Sequence, residues 1–261
     1  MHKVTSKDGT SIAYERFGEG PPLILIGGAF NDRGSPVAGV PLAQALTAGR
    51  SVYAYDRRGR GDSGDTAPYA PHRELEDLGA LIDEAGGHAA LFGHSSGGGL
   101  ALAAAASGLG VTRLAVFEPP YTTPSPEVSE TGALAREIER LVAAGERGEA
   151  VELFQRSIGI PAEVVEQLRH APFRPALDAI AHTLAYDLAV MGTGVVPTDL
   201  LGKIHVPTLV VVGGDSPEPL QVAARGVVAV VDGADLAVLD GADHSAGTDV
   251  LAPVLSAFFT A

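Results

Sequence analysis

Short apolar runs alternate with segments of helical periodicity through most of the chain. Residues 23–26, 52–55, 89–92, 114–117, 208–212 and 236–239 form such runs, each bounded by glycine, proline or polar residues. Uninterrupted apolar runs of this length fit strands buried on both faces of a parallel sheet. Residues 11–16 alternate instead, as an early antiparallel strand does. Between the runs, residues 40–48, 73–85, 98–106, 220–229 and 250–259 carry helical spacing. The pattern predicts an α/β fold whose mostly parallel central sheet is flanked by helices.

The alternation breaks once. From 122 to 201 there is no convincing strand; Leu134, Ile138, Leu141 and Val142 fall on one helical face, and Val151, Phe154 and Ile158 continue it. Pro161, Pro172 and Pro175 punctuate the stretch. A helical insertion between two strands is expected to sit above the sheet as a cap, so residues 1–121 and 202–261 are assigned to the core and 122–201 to the cap, hinged at 124–126. The nearly uncharged run 91–112 is not read as a membrane span, because its glycines and His94-Ser95-Ser96 suit a strand, turn and helix.

Charge and composition narrow the function. In 261 residues, 18 Lys and Arg face 32 Asp and Glu, a formal charge of −14, which excludes binding that relies on neutralising nucleic-acid phosphates. The one basic knot, Arg57, Arg58 and Arg60, lies in a short loop and is read as structural or substrate-facing. With no cysteine, disulfides, thiolate nucleophiles, cysteine zinc sites and iron-sulfur clusters are all excluded, so any nucleophile is oxygen or nitrogen. No apolar stretch follows Lys3 and Lys7, so a signal peptide is not expected there and the cytoplasm is the expected location.

The most specific motif is Gly93-His94-Ser95-Ser96-Gly97, where a buried strand turns at once into an Ala-rich helix. It matches G-x-S-x-G in the strand-turn-helix setting that motif requires. A serine on so sharp a turn is held in an unfavourable backbone conformation with its hydroxyl exposed, and small neighbours let strand and helix approach. The helix N-terminus beside it favours a developing oxyanion.

On these residues the chain resembles the α/β-hydrolase fold over nearly its whole length. Gly27-Gly28-Ala29-Phe30 is similar to that family's oxyanion turn, with Gly27 where His is usual, and residues 55–63 are similar to its Asp-x-Arg-Gly-x-Gly-x-Ser loop. The resemblance implies Ser95 as nucleophile, backbone N–H of Ala29 and Ser96 as oxyanion donors, and His244 as base, since it follows the last strand. His94, beside the nucleophile, is read as packing. For the acid, the usual family position after the seventh strand falls on Ser216, leaving Asp215 one residue early. The rival is Glu118, directly after the sixth strand, where some members carry theirs; a carboxylate at a buried strand end also needs a partner. Asp243, Asp240 or no acid remain as further alternatives.

An Asp nucleophile is absent, so the branches that attack with carboxylate are disfavoured, and the sequence calls for neither metal nor cofactor. Phe30, Tyr121, Phe154, Tyr186 and Met191 are the candidate pocket residues. The expected activity is Ser-His-acid hydrolysis of an ester, lactone, thioester or related acyl bond in a small, mainly apolar molecule. The alternatives are cofactor-free non-esterase chemistry on the same fold, or a non-catalytic ligand-binding protein. The expected partner is a small molecule, with neither nucleic acid nor membrane.

Overall fold

The computed structural model describes residues 1–122 and 130–260. The hinge expected at 124–126 lies outside the described residues. Eight strands form one sheet: β1 (His2–Thr5), β2 (Ser11–Phe17), β3 (Pro22–Ile26), β4 (Ser51–Tyr55), β5 (Ala89–His94), β6 (Val111–Phe117), β7 (Thr208–Gly213) and β8 (Asp235–Leu239). Their order is β1-β2-β4-β3-β5-β6-β7-β8; β1 and β2 are antiparallel to their neighbours, and β3 to β8 run parallel.

Five helices flank the sheet: α1 (Val40–Ala45), α2 (Pro71–Glu84), α3 (Ser96–Ala106), α10 (Glu218–Val228) and α11 (Thr248–Thr260). The twofold alternation of strand side chains divides the core between the two faces. Ile24, Ile26, Leu91, Val116 and Val210 point to α2, α3 and α10, where they meet Leu78, Leu100 and Val227. Leu23, Leu25, Phe92, Phe117 and Val211 point the other way, onto Leu42 of α1 and Leu251, Leu255 and Phe259 of α11. Proline opens the first turn of α1, α2 and α10, where the missing N–H costs no intrahelical bond.

Between β6 and β7 the described residues form only helices: α4 (Glu130–Ala143), α5 (Arg147–Ser157), α6 (Ala162–Arg169), α7 (Arg174–Ala179), α8 (Thr183–Met191) and α9 (Thr198–Leu201). Their own core gathers Ile138, Leu141, Val151, Phe154 and Leu184, with Leu134 and Val142 packed at its edge. Ile158 does not belong to it: just past the end of α5, it is 57% exposed. A bridge between Thr122 and Val195, with Thr122 N–H donating to Gly194 O at 2.6 Å, closes the neck of the insertion.

Candidate active site

The site lies where β5 runs into α3. Ser95 is the single residue between them, at φ 55° and ψ −127°, a region that L-residues rarely adopt. Its N–H donates to Phe117 O at 2.9 Å and its carbonyl accepts from Gly98 N–H at 2.8 Å, so the bend is pinned on both sides. Two glycines make room for it. A Cβ on Gly93 would stand 2.7 Å from the Gly98 Cα, and one on Gly97 would stand 2.6 Å from the Gly27 carbonyl oxygen. No side chain fits in either place without separating strand from helix.

Across the sheet's C-terminal edge, β6 ends on Phe117 and the chain turns at Glu118, which also has positive φ (49°). The Glu118 N–H donates to Val211 O of β7 at 3.1 Å. Its side chain is fully buried and wholly engaged: Oε2 accepts from His244 Nδ1 at 2.6 Å, and Oε1 accepts from Gly213 N–H at 2.8 Å and from Ser216 Oγ at 2.5 Å. Burial alone would push this carboxyl up. The bonds from His244, Ser216 and Gly213 outweigh it and hold the group below its usual range, so Glu118 is ionised. An ionised carboxylate only accepts, so His244 Nδ1 carries the hydrogen, and the tautomer this bond selects for the neutral ring has its lone pair on Nε2.

The half-buried His244 ring lies over Phe117, at 6.1 Å between centroids, and 4.8 Å from the ring of His94, the residue that precedes Ser95. Burial, with the His244 charge second, pushes the His94 imidazole down to about 3, so it is neutral at working pH. Its Nδ1 lies 3.3 Å from Asn31 Oδ1.

Asp215, the other carboxylate that the sequence offers, stands apart from this arrangement. It is exposed, and its N–H donates to Ala242 O at 2.9 Å, whereas the buried neighbour Ser216 reaches Glu118. Asp243 is turned to Ser245, and Asp240 is exposed.

The turn after β3 stands against Ser95. A Cβ on Gly28 would lie 2.7 Å from the Ser95 Cβ and 3.0 Å from His94 O, so only glycine brings this backbone so close. Gly28 N–H donates to Asn31 Oδ1 at 3.2 Å, and Asn31 N–H returns to Gly28 O at 3.2 Å. Ala29 follows, and Ser96 occupies the first turn of α3, where a helix N–H has no intrahelical acceptor.

The five aromatic and thioether candidates separate. Phe30 and Phe154 meet edge to face at 5.4 Å, joining the turn to the core of the insertion together with Ala29. Tyr121 and Met191 pack into the sheet core instead, in the slot left by Gly99: a Cβ there would lie 2.6 Å from Met191 Sδ and 3.5 Å from Tyr121 Oη. Tyr186 stacks on Tyr69 at 3.6 Å and gives its hydroxyl to Asp65 at 3.0 Å. These contacts hold the three side chains in place.

One group went unread in the sequence. Asp187 of α8 is buried and accepts from Arg57 Nη1, Arg60 Nη2 and Ser96 Oγ, each at 2.7 Å. The signal available was a lone carboxylate inside the apolar stretch 184–191, which demands buried cations. The third arginine of the knot, Arg58, faces away to Asp77 and Asp8. Among the described residues no three His, Asp or Glu side chains gather into a metal-binding group, and no helix is long and apolar enough to cross a membrane.

A model described as "Alpha/beta hydrolase family" matches residues 23–254. Among solved structures, an alpha/beta hydrolase from Sphaerobacter thermophilus is 47% identical, covering 99% of this chain and 100% of that one at a TM-score of 0.89. The enol-lactonase from Burkholderia xenovorans LB400 is 23% identical over 100% of both chains at 0.72, and a thermophilic esterase from Thermogutta terrifontis is 22% identical over 99% and 97% at 0.74. No curated protein matches the chain.

Proposed function

The chain belongs to the alpha/beta hydrolase family, and from that premise we propose that it is a serine hydrolase cleaving an ester, lactone, thioester or related acyl bond of a small, mainly apolar molecule. The observation that carries the proposal is the Glu118–His244 bond of 2.6 Å beside a serine held at positive φ. Ser95 Oγ attacks the acyl carbon while His244 Nε2 takes its proton, and the Ala29 and Ser96 N–H groups receive the oxyanion. As the carbon–leaving-group bond breaks, the imidazolium returns the proton to the leaving alcohol or thiol. Water, deprotonated by the same nitrogen, then releases the acid and restores Ser95. Glu118 holds the tautomer and stabilises the transient imidazolium. Each proton and bond is accounted for by these groups and water.

Substrate character follows from what surrounds the serine. Phe30, Phe154 and Ala29 offer apolar surface on the side of the insertion. Arg57 is paired with Glu74 and Asp187, and Arg60 with Asp187, so their charges are already met by buried carboxylates rather than held out for a substrate carboxylate. The esterase and enol-lactonase among the similar folds act on the same bond class. The helices between Glu130 and Leu201 serve as the cap over the acyl group. The test is pre-steady-state kinetics with p-nitrophenyl esters: a burst of p-nitrophenol stoichiometric with enzyme is expected, lost in Ser95→Ala. Full turnover by Ser95→Ala would overturn the proposal.

A further inference from the structure

The two arginines at the variable positions of the β4 loop grip the turn that faces Ser95. Arg57 Nη1 donates to Gly27 O at 3.2 Å, and Arg60 Nη1 donates to Gly28 O at 2.5 Å. A trans peptide directs its C=O and N–H to opposite sides. Holding Gly27 O therefore turns the Gly28 N–H outward, and that N–H indeed meets Asn31 Oδ1. By the same geometry, holding Gly28 O aims the Ala29 N–H away from Arg60, on the opposite side of that peptide. Behind the arginines, Asp187 from α8 spans both guanidinium groups and also takes the Ser96 hydroxyl, while Glu74 closes the other edge of Arg57 with bonds of 2.6 and 2.7 Å. These four side chains, two cations and two anions, are each no more than 2% exposed, so the set is neutral and dry.

We propose that Arg60 and Asp187 are positioning residues for the oxyanion donors: Arg60 fixes the Gly28–Ala29 peptide with its N–H toward Ser95, and Asp187 locks Arg60, Arg57 and Ser96 together from within the helical insertion. This rests on the hydrolase reading above. It also makes the insertion part of the catalytic machinery, because one of its carboxylates completes the frame of the hole. Charge and shape both matter here. A guanidinium holds Asp187 and Gly28 O with two separate nitrogens, which an ammonium cannot do in the same geometry.

Two variants separate positioning from stability. Arg60→Lys keeps the charge opposite Asp187, and Arg60→Met/Asp187→Leu removes cation and anion together, leaving Arg57 with Glu74; such neutral replacements are tolerated in buried sites. With a p-nitrophenyl ester, kcat is expected to fall about 10-fold in the first and on the order of 100-fold in the second, as for loss of one oxyanion donor. KM should move less than about 3-fold, because the hole acts on the transition state. Affinity for a boronic acid, which forms a tetrahedral adduct on serine, should fall in parallel with kcat. Arg58→Met, which breaks a buried pair in the same loop without touching the turn, should leave kcat of the folded enzyme unchanged. In the unmodified enzyme, the Ala29 and Ser96 amide protons should move downfield when the boronate binds. A kcat within 3-fold of wild type in either folded Arg60 variant, an equal fall in Arg58→Met, or an unmoved Ala29 amide would overturn the proposal. Turnover surviving in Ser95→Ala would instead sink the hydrolase reading itself, whatever Arg60 does.

Discussion

Glu118→Gln tests the orientation of the base with almost no change of shape. Both donors on Oε1, Gly213 N–H and Ser216 Oγ, lie within 2.8 Å and hold an oxygen there. A glutamine that keeps its oxygen on them must turn its NH2 toward His244 Nδ1. That nitrogen then has to accept, and the ring hydrogen moves to Nε2, the atom needed to take the Ser95 proton. The flipped amide would restore the right tautomer but set NH2 against the Gly213 N–H, leaving a buried donor unpaired at a cost of about 1–3 kcal/mol. The wrong tautomer therefore dominates. Loss of the correct tautomer and of the anion together costs on the order of 10⁴ in kcat in such triads, or about 5.4 kcal/mol at 1.36 kcal/mol per tenfold. Stopped-flow release of p-nitrophenol should show that loss in Glu118→Gln, with circular dichroism unchanged, and a loss under about 3-fold in Asp215→Asn. A Glu118→Gln enzyme retaining a tenth of wild-type kcat would refute the reasoning, as would a 100-fold loss in Asp215→Asn.

Three further outcomes follow from the geometry. Ser95→Gly removes a strained side chain at φ 55°; relief of about 1–3 kcal/mol, less about 0.5–1 kcal/mol for glycine entropy, should raise unfolding stability in urea by about 1 kcal/mol, and a lower stability contradicts stored strain. Gly28→Ala sets a Cβ 2.7 Å from the Ser95 Cβ, so the turn must retreat and kcat should drop on the order of 100-fold; an active Gly28→Ala enzyme speaks against the close approach. His94 has a folded pKa of about 3, set by burial first and His244 second. The unfolded chain binds this proton and the folded one does not, so below about pH 6.5 stability should fall by up to about 1.4 kcal/mol per unit from this group. His94→Gln should flatten that slope in urea titrations between pH 4.5 and 7, and an unchanged slope assigns it elsewhere.

The central parallel strands were legible because strands buried on both faces are continuous apolar runs; residues 23–26 and 208–212 fall within β3 and β7, whereas the run 236–239 marks β8 correctly but lies at the sheet edge, with Leu236 and Val238 exposed. β1 was not, because His2–Thr5 is short, mostly exposed and at the sheet edge, with no apolar run to mark it. Ser95 and His244 stood in recognisable local settings. The acid did not: Glu118 and Asp215 both follow strands, and what separates them is which strand end faces His244, a tertiary fact. The Arg57–Asp187 bond joins residues 130 apart, beyond any local pattern. The contact of Tyr121 and Met191 with Gly99 is tertiary in the same way, since helical spacing cannot show it.

The central claim is that Ser95 is a nucleophile made reactive by His244. A fluorophosphonate reports on that pair directly, followed by peptide mapping of the labelled protein. One adduct is expected, on the peptide that carries Ser95, absent after heat unfolding and in His244→Ala. No adduct on the folded protein, or an adduct on a different residue, contradicts the account.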